Sequence, residues 1–494
     1  MINRFVAKGI LAYSTLKNRA VFLILFLVSF FIRLPFFFRD YIDRDESTFI
    51  LMGQSWVDGH LPYTELWDLK PPITFLFFAG IIYLFGKSFI AIRLAGVFVV
   101  AITAFFSYNI AASLSTKKVA LWAGIFSVAL QSMFGSIQGV MSEHICIAFF
   151  MVGLYLLIRY QNFKAYLGAG LFMGLAVMTK LNIAYAVLFA ISGVVFHLLY
   201  RKKIGKGLSA IVLFGIGVLG IVLLTILPYY FTDATEIWWK SVILASLEYA
   251  GARRSSILSL APTFLIIGAF LFFSYKKNYL NFKDAKIQLL TAAMVGVLFS
   301  YYKAGRINSH YLIQLYPIVI ILFAIVVSRI SFLTKLNYRP YAILLLLVLP
   351  MESYLEYVAL VKHKMERGTF YNGEGITVPQ YLKEHGYESK NILFLEYHIG
   401  YWPLGASPPT KAATHPSSIC RFELFPYFDN PRKTNVEELQ YIMQEVRPKL
   451  VVTRKNRLIF DKKLVKENQY INNQLKANYK ILATVDQAEI YQRL

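Results

Sequence analysis

Four charged side chains that could carry out chemistry lie in one stretch between the first two apolar segments of the chain. Asp45 and Glu46 open this stretch, and Asp68 and Lys70 close it just ahead of two prolines. A charge costs about 2.5–3.5 kcal/mol at the centre of a bilayer, so these side chains must lie in water or serve a site. A carboxylate can take a proton from a hydroxyl group, and an ammonium can stabilise negative charge on a phosphate. The stretch therefore predicts a reaction site in which the Asp45-Glu46 pair supplies a base and Lys70 binds an anion.

Two predicted helices would position these side chains. The pattern of Ser47–Val57 predicts an amphipathic helix, and the positive end of its dipole would favour the carboxylates of Asp45 and Glu46. The apolar run Ile73–Phe85 would be about 20 Å long as a helix, against roughly 30 Å of hydrocarbon in a bilayer. We therefore expect this second helix to lie along the membrane interface, with Lys70 close to its start.

The composition excludes an ordinary soluble protein. Of the 494 residues, 57% are hydrophobic and 16% are charged, with a mean hydropathy of +0.52. The formal charge of +23 agrees with the tendency of membrane proteins to gather Lys and Arg in cytoplasmic loops, so no nucleic-acid partner is expected. Cys146 and Cys420 lie far apart and give no disulfide framework. The chain is predicted to be a polytopic membrane protein.

The alternation of apolar runs with basic residues predicts the topology. With the N-terminus and Lys117-Lys118 in the cytoplasm, about eleven transmembrane helices bring the C-terminus to the outer side. We therefore predict an all-α polytopic membrane domain over residues 1–360, in which an outer-face loop at 39–88 carries the site, followed by a small α/β extracytoplasmic domain at 366–494. Phe231–Ser256 is predicted to be a polar outer loop. Strands of the C-terminal domain are predicted at 391–397, 450–453 and 481–491, and a helix at 436–446.

Several short motifs follow one another in a specific order between the first span and residue 143. They are the Asp45-Glu46 pair, Gly59-x-x-Pro62-Tyr63, Lys70-Pro71-Pro72, Phe85-Gly86 and Arg93. This order resembles the polyprenyl-phosphate-dependent glycosyltransferases of the C superfamily, which include protein O-mannosyltransferases and bacterial lipid A sugar transferases. The resemblance implies transfer of one sugar, with inversion, from a polyprenyl-monophosphate carrier to a lipid, glycan or protein acceptor. The expected location is the outer face of the bacterial inner membrane.

The same resemblance implies a role for each candidate residue. Asp45 would take the proton of the acceptor hydroxyl, with Glu46 as its neighbour, and Lys70 would hold the phosphate that leaves. Further ligands of that phosphate are expected at Lys180, Arg253, Arg254 and Arg306. The pocket around the sugar is expected to include Tyr63, Asp68, Glu143, His310 and Tyr311.

Each candidate also has a purely structural explanation. Asp45 could cap a helix, and Lys70 could extend to the membrane interface as many lysines do. For the whole protein, the alternatives are a secondary transporter and a non-catalytic subunit of envelope assembly. Against a transporter, the charges collect at the ends of the predicted spans rather than near the bilayer midplane, and the sequence has no evident internal repeat.

The expected chemistry requires no cofactor. Asp43-Arg44-Asp45 spells the Asp-x-Asp pattern with which nucleotide-sugar transferases hold a metal, but the predicted outer location offers no nucleotide sugars. Carboxylates together with His310 could still bind a divalent cation. The sequence contains none of the patterns of zinc proteases, phosphate-loop NTPases or serine hydrolases, which argues against these classes.

Overall fold

Helices dominate the computed structural model, which describes residues 16–40, 42–252, 257–305, 307–335, 339–388 and 390–494. Short 3-10 and π-helical turns join several of the helices, and four strands lie near the C-terminus. In chain order the helices are α1 Asn18–Arg33, α2 Arg44–Val57, α3 Pro72–Phe85, α4 Phe89–Ala112, α5 Lys117–Leu130, α6 Ser142–Arg159, α7 Phe163–Val177, α8 Ala184–Tyr200, α9 Ile204–Phe231, α10 Thr235–Trp238, α11 Ala245–Ala252, α12 Ala261–Lys276, α13 Ala285–Ala304, α14 Tyr316–Arg329, α15 Ser331–Lys335, α16 Arg339–Val348, α17 Met351–Arg367, α18 Glu374–Glu384, α19 Tyr401–Leu404, α20 Asn435–Gln440 and α21 Val465–Asn478. The strands are β1 Ile392–Phe394, β2 Leu450–Arg454, β3 Tyr479–Val485 and β4 Ala488–Arg493.

Six helices within the described ranges are long and apolar enough to cross a membrane. A seventh span would result if Pro340–Val348 and Met351–Arg367, which are bent by 48° at the break between them, cross as one. The prediction of a polytopic membrane protein is confirmed. The count of about eleven spans stays a prediction, because the further apolar helices are shorter than a bilayer normally requires. The six long spans are Asn18–Phe38, Phe89–Ala112, Ser142–Arg159, Leu181–Tyr200, Ile204–Phe231 and Ala285–Ala304.

Helix α3 begins and ends where its local residues require it. Pro72 is the first helical residue, and a proline is tolerated there because the amides of the first turn have no intrahelical partner. Gly86 follows the last residue with a φ of 68°, a value that favours glycine. The 14 residues of α3 correspond to a length of about 21 Å, as predicted for the short helix. Its place at the membrane interface stays a prediction.

The chain forms two compact units, each built from three segments. This grouping differs from the linear division into 1–360 and 366–494, because two segments from the first half of the chain fold together with the C-terminal residues. The first unit comprises Met1–Leu34, Arg93–Thr225 and Arg253–Leu355, and the second comprises Pro35–Ile92, Ile226–Ala252 and Glu356–Leu494.

The first unit is a bundle of helices around a hydrophobic core. Helices α6 and α7 pack along their lengths, and so do α8 and α13. Gly170 on α7 lies against the backbone of Phe214 on α9, and Gly217 on α9 lies against the backbone of α7. A Cβ atom at either glycine would overlap that backbone, so only glycine permits this approach. Contacts between small residues of this kind allow helices to associate within a bilayer.

A buried arginine secures the connection that leads into α6. The guanidinium of Arg33, at the end of α1, donates to the carbonyl oxygens of Ile137, Gln138 and Gly139 at 3.0, 2.8 and 2.8 Å. The side chain of Arg33 is 1% exposed. Its hydrogen bonds satisfy carbonyl oxygens that accept no hydrogen bond within a helix. Arg33 thereby fixes the segment that precedes Glu143.

The second unit contains a four-stranded sheet in the order β1-β2-β4-β3. Strands β1 and β2 are parallel, with Ile392 opposite Leu450, and the other two pairs are antiparallel. The run predicted as a single strand at 481–491 is instead part of a hairpin. Its chain reverses at Asp486, which has a φ of 53°, in the left-handed region that Asp tolerates in turns.

The prediction of a polar loop at Phe231–Ser256 is wrong for the residues that the structure describes. Most of this segment is helical, and it includes a π-helical turn. Trp238, Val242 and Ala245 recur at helical spacing and are buried in the second unit. The charged residues of the segment, Asp233, Glu236, Lys240 and Glu248, are exposed. Their polarity concealed the helical spacing of the buried residues when the sequence was considered as a whole. Within the second unit, Trp67 donates its indole N–H to the Ser241 hydroxyl at 2.9 Å.

Candidate active site

The second unit brings Asp45 and Lys70 together. Asp45 lies in the first turn of α2, and its Oδ2 is 3.4 Å from the ammonium of Lys70. The two side chains are 26% and 15% exposed, so solvent reaches the pair. The helix cap is Asp43, whose carboxylate accepts a hydrogen bond from the backbone amide of Asp45 at 2.8 Å. Capping therefore does not account for the carboxylate of Asp45.

The backbone of Lys70 is held on both sides. The hydroxyl of Tyr63 donates to the carbonyl oxygen of Lys70 at 2.6 Å, and the carboxylate of Asp68 accepts from the Lys70 amide at 2.9 Å. The ammonium lies 5.5 Å from the centroid of the Phe49 ring, within cation–π range. Tyr63 and Asp68 thus fix the position of Lys70 without using its ammonium.

Tyr63 is itself held by burial and ring stacking. It is fully buried and has a φ of 73°, which is uncommon for a residue other than glycine. Its ring stacks on Tyr229 at a centroid distance of 6.1 Å. Burial raises the pKa of Tyr63 well above its ordinary value, so the hydroxyl keeps the proton that it donates to Lys70. Tyr63 and Asp68, both predicted as pocket residues, act here through the backbone of Lys70.

His415 is a member of this cluster that sequence reasoning missed. Its Nε2 lies 3.4 Å from Asp45 Oδ1, the carboxylate oxygen that does not face Lys70. Its Nδ1 accepts a hydrogen bond from the Ser417 amide at 3.2 Å. A neutral ring must then carry its proton on Nε2 and donate it toward Asp45. A lone histidine so far along the chain carries no local signal that links it to Asp45.

Two histidines next to Asp45 are held neutral. Burial lowers the pKa of His415 below its ordinary value of 6.5 and outweighs the opposing effect of Asp45. The ring of His398 lies 5.9 Å away, centroid to centroid, and its Nε2 is 3.0 Å from the Thr48 hydroxyl. Burial, followed by repulsion from His415, lowers the pKa of His398 well below 6.5. Asp45 therefore has a neutral hydrogen-bond donor on one side and a cation on the other.

We expect the second unit to lose stability as the pH falls below about 6.5. Because His398 and His415 have lowered pKa values in the folded state, the unfolded chain binds more protons just below that pH. Their contribution is complete above about pH 6.5 and is lost as the pH falls through the folded pKa values. His398→Gln removes one titrating ring, so its thermal unfolding temperature should fall less between about pH 7.5 and about pH 5 than that of the parent. His385→Gln, at an exposed ring, is the control, and equal slopes for His398→Gln and the parent would contradict the prediction.

A second cluster of ionisable side chains lies in the first unit. Glu143, in the first turn of α6, is fully buried and pairs with the ammonium of Lys180. His310 Nε2 is 3.7 Å from Glu143 Oε1, and the Lys180 ammonium lies 4.6 Å from the centroid of the Tyr311 ring. The hydroxyl of Tyr301 donates to the Tyr311 carbonyl at 2.6 Å. The fold thus brings four predicted site residues together in this unit.

The ion pair restricts what Lys180 can do. Its side chain is 10% exposed, and a buried cation requires a nearby anion. Glu143 supplies that anion within the protein, so a phosphate ligand would have to share the ammonium with this carboxylate. The role of Lys180 as a ligand of the donor phosphate stays a prediction.

Glu143→Gln is expected to destabilise the protein by about 3–5 kcal/mol, because it leaves the Lys180 ammonium buried beside a neutral amide. Thermal unfolding of the purified variant measures the effect. The double variant Glu143→Gln with Lys180→Met removes both charges and should recover part of the loss. Glu236→Gln is the control, since the Glu236–Lys240 pair is exposed and such pairs contribute little. Glu143→Gln unfolding at the same temperature as Glu236→Gln would show that the pair is not a buried ionic contact.

The remaining predicted residues can be placed only in part. Glu46 is buried in the first turn of α2. Arg253, Arg254 and Arg306 lie outside the described residues, and their roles as phosphate ligands stay predictions. Within the ranges that the structure covers, no three His, Cys, Asp or Glu side chains are grouped so as to hold a metal ion. The expectation that the chemistry requires no cofactor stays a prediction.

A comparison with protein families identifies one matching segment. Residues 69–230 match the family described as dolichyl-phosphate-mannose-protein mannosyltransferase. The matched segment contains Lys70, Glu143 and Lys180 and begins after Asp45. No curated protein matches the sequence.

Two solved structures are similar over nearly the whole chain. The crystal structure of ArnT from Cupriavidus metallidurans bound to undecaprenyl phosphate is 15% identical, with 97% of each chain covered and a TM-score of 0.59. The apo structure of the same protein is 14% identical, with 99% of this chain and 98% of that chain covered and a TM-score of 0.61. This likeness shows a shared fold. Together with the family match, it confirms the predicted resemblance to polyprenyl-phosphate-dependent glycosyltransferases.

Proposed function

We propose that this protein is an integral-membrane glycosyltransferase that moves one sugar from a polyprenyl-monophosphate carrier to an acceptor hydroxyl. The family match over 69–230 and the ArnT-like fold support this class of activity. The observation that carries the proposal is the distance of 3.4 Å between the Asp45 carboxylate and the Lys70 ammonium. A base and a cation for phosphate are the two groups that such a transfer needs side by side.

The proposed reaction is a single displacement. The oxygen of the acceptor hydroxyl attacks the anomeric carbon of the sugar, and the bond from that carbon to the phosphate oxygen breaks. The bonding electrons leave with the polyprenyl phosphate, and the hydroxyl proton moves to Asp45. Attack opposite the leaving group inverts the anomeric carbon. Lys70 stabilises the negative charge that develops on the departing phosphate.

The contacts around Asp45 suit this division of roles. Lys70 would exchange its contact with Asp45 for the donor phosphate, while Asp45 would retain the hydrogen bond from His415 Nε2. That bond orients one carboxylate oxygen and directs the other toward the reactants. Because Tyr63 and Asp68 hold the backbone of Lys70, its ammonium can change partners without moving the chain.

Undecaprenyl phosphate is the proposed carrier lipid, since the ArnT structure with the same fold binds it. The acceptor would be an envelope lipid, a glycan or a protein. We place the reaction at the outer face of the bacterial inner membrane, with the N-terminus in the cytoplasm and residues 366–494 outside, on the basis of the distribution of basic residues.

Mass spectrometry of envelope lipids and glycans from cells with and without the gene tests the proposal. We expect loss of one sugar increment from one class of molecule, and its recovery when the parent protein is restored. Restoring the Asp45→Asn protein should not recover it. An unchanged envelope would argue for a transporter or an assembly subunit instead, and recovery by Asp45→Asn would show that Asp45 is not the base of the transfer.

A further inference from the structure

A helical segment of the second unit holds the short turn that carries the proposed cation of the site. This turn comprises residues 67–70, and we call it the 67–70 turn. The hydroxyl of Ser246, on α11, donates to the carbonyl oxygen of Leu69 at 3.0 Å. The hydroxyl of Ser241, five residues earlier, accepts the indole N–H of Trp67 at 2.9 Å. One segment thus contacts the turn at two points, each through a serine.

A π-helical turn places both serines on the same side of the segment. The turn covers Trp239–Leu244, and the amide of Ala245 donates to the carbonyl oxygen of Lys240, five residues back. In an α-helix, residues five positions apart point about 140° away from each other. A π-helical turn closes after five residues, so Ser241 and Ser246 face the same neighbour. Such turns are rare and often lie at functional sites.

Trp67 anchors the start of the 67–70 turn. It is 1% exposed, and its ring lies edge-on to Phe428 at a centroid distance of 4.8 Å. Its backbone amide donates to the hydroxyl of Thr414 at 3.2 Å. A buried indole N–H needs an acceptor, and the Ser241 hydroxyl provides it. These contacts hold the ring in one orientation, which fixes where the turn begins.

The peptide unit between Leu69 and Lys70 is held at both of its polar atoms. Ser246 donates to its carbonyl oxygen at 3.0 Å, and the carboxylate of Asp68 accepts from its amide at 2.9 Å. Because a peptide unit is planar, fixing these two atoms fixes the orientation of the whole plane. Without the bond from Ser246, the contact with Asp68 alone would let the plane tilt.

The peptide unit on the other side of Lys70 is held as well. Its carbonyl oxygen accepts from Tyr63 at 2.6 Å, and its nitrogen belongs to Pro71, which has no N–H and a restricted φ. Both planes that meet at the Cα atom of Lys70 are thus set by contacts outside the Lys70 side chain. The direction in which that side chain leaves the backbone follows from the two planes.

We propose that Ser241 and Ser246 are positioning residues, which direct the Lys70 ammonium to the place where the departing phosphate gains charge. The inference rests on the proposed function, in which Lys70 stabilises that charge. A misplacement of about 1 Å can lower the rate of an enzyme about 10²-fold, even when the altered residue does not touch the substrate. Neither serine contacts the reacting groups in this scheme, and both act through the backbone or the ring of the 67–70 turn.

Ser246→Ala in the purified full-length protein tests the positioning role. At saturating donor we expect turnover about tenfold below that of the parent, with the apparent KM for the donor within about twofold, because the ammonium is present but less well directed. Ser246→Thr keeps a hydroxyl and should recover most of the turnover. In a Lys70→Ala background, Ser246→Ala should change turnover by less than about twofold, since no ammonium remains to be directed. Unchanged unfolding temperatures show that the Ser246 variants are folded.

Two further variants complete the experiment. Ser241→Ala should also lower turnover, and its effect should likewise disappear in the Lys70→Ala background. Ser209→Ala is the control, because it removes a hydroxyl that donates within α9 to the Gly205 carbonyl at 2.9 Å, and it should leave turnover unchanged. Parental turnover of Ser246→Ala, or equal losses with and without the Lys70 ammonium, would overturn the positioning role while the proposed function stands. A parent protein that transfers no sugar would instead reject the proposed function and this inference with it.

Discussion

Asp45→Asn is expected to lower the rate of sugar transfer by about 10²–10⁴-fold, because it removes the base. The amide keeps the size of the side chain and can still accept a hydrogen bond from His415 Nε2, but it cannot take the proton of the acceptor hydroxyl. The start of α2 should be undisturbed, since Asp43 provides the cap. The measurement is transfer from a polyprenyl-phosphate sugar by the purified variant, with thermal unfolding as the test of folding.

Asp43→Asn is the matched control for this variant. It also removes one charge from the start of α2, and Asn caps a helix about as well as Asp, so transfer should stay close to the parental rate. Near-parental transfer by Asp45→Asn would falsify its role as the base, and Glu46→Gln would then test the adjacent carboxylate. Equal large losses in the Asp43 and Asp45 variants would instead favour a metal held by the Asp43-Arg44-Asp45 pattern.

Lys70→Ala should lower turnover by roughly 10²–10³-fold at saturating donor, as the loss of one preorganised stabilising group does. The contacts that Tyr63 and Asp68 make with this residue are to its backbone, so they persist in the variant. The effect then reports on the ammonium rather than on the fold of the turn. Donor-concentration series for the variant and the parent separate turnover from apparent donor affinity.

Two further variants sharpen the test of Lys70. Lys70→Arg keeps the positive charge and should recover part of the turnover, though not all of it, because the guanidinium has a different shape. Lys87→Ala removes another lysine of the second unit, whose ammonium donates to the Trp402 carbonyl at 2.8 Å, and should leave turnover nearly unchanged. If Lys70→Ala weakens donor affinity and keeps full turnover at saturation, Lys70 is a binding anchor and does not stabilise the leaving phosphate.

The buried Glu143–Lys180 pair and the partly buried Asp45–Lys70 pair suit different roles. The first is almost inaccessible, so its charges chiefly satisfy each other. In the second, 26% of the Asp45 side chain and 15% of the Lys70 side chain are exposed, so an incoming substrate can reach both members. We therefore assign the chemistry to Asp45 and Lys70 and keep Lys180 as a secondary candidate.

The features that the sequence alone determined depend on residues that lie close to one another along the chain. Apolar runs and basic flanks identified a membrane protein, and the two prolines and Gly86 set the limits of α3. The candidate base and cation were recognisable because they share one short polar stretch between apolar segments. Periodicity and helix-ending residues act over a few positions, so their consequences can be predicted without knowing the fold.

Only the tertiary structure decided which side chains meet. His415 reaches Asp45 from the C-terminal segment, and Lys180, which follows α7, pairs with Glu143 at the start of α6. In the folded protein the carboxylate of Asp43 caps α2. The segment around Trp238, expected to be a polar loop, is helical. These outcomes depend on packing between residues distant in sequence, where burial and charge pairing settle the arrangement. No local sequence pattern contains this information, because the fold determines which side chain lies beside a buried charge.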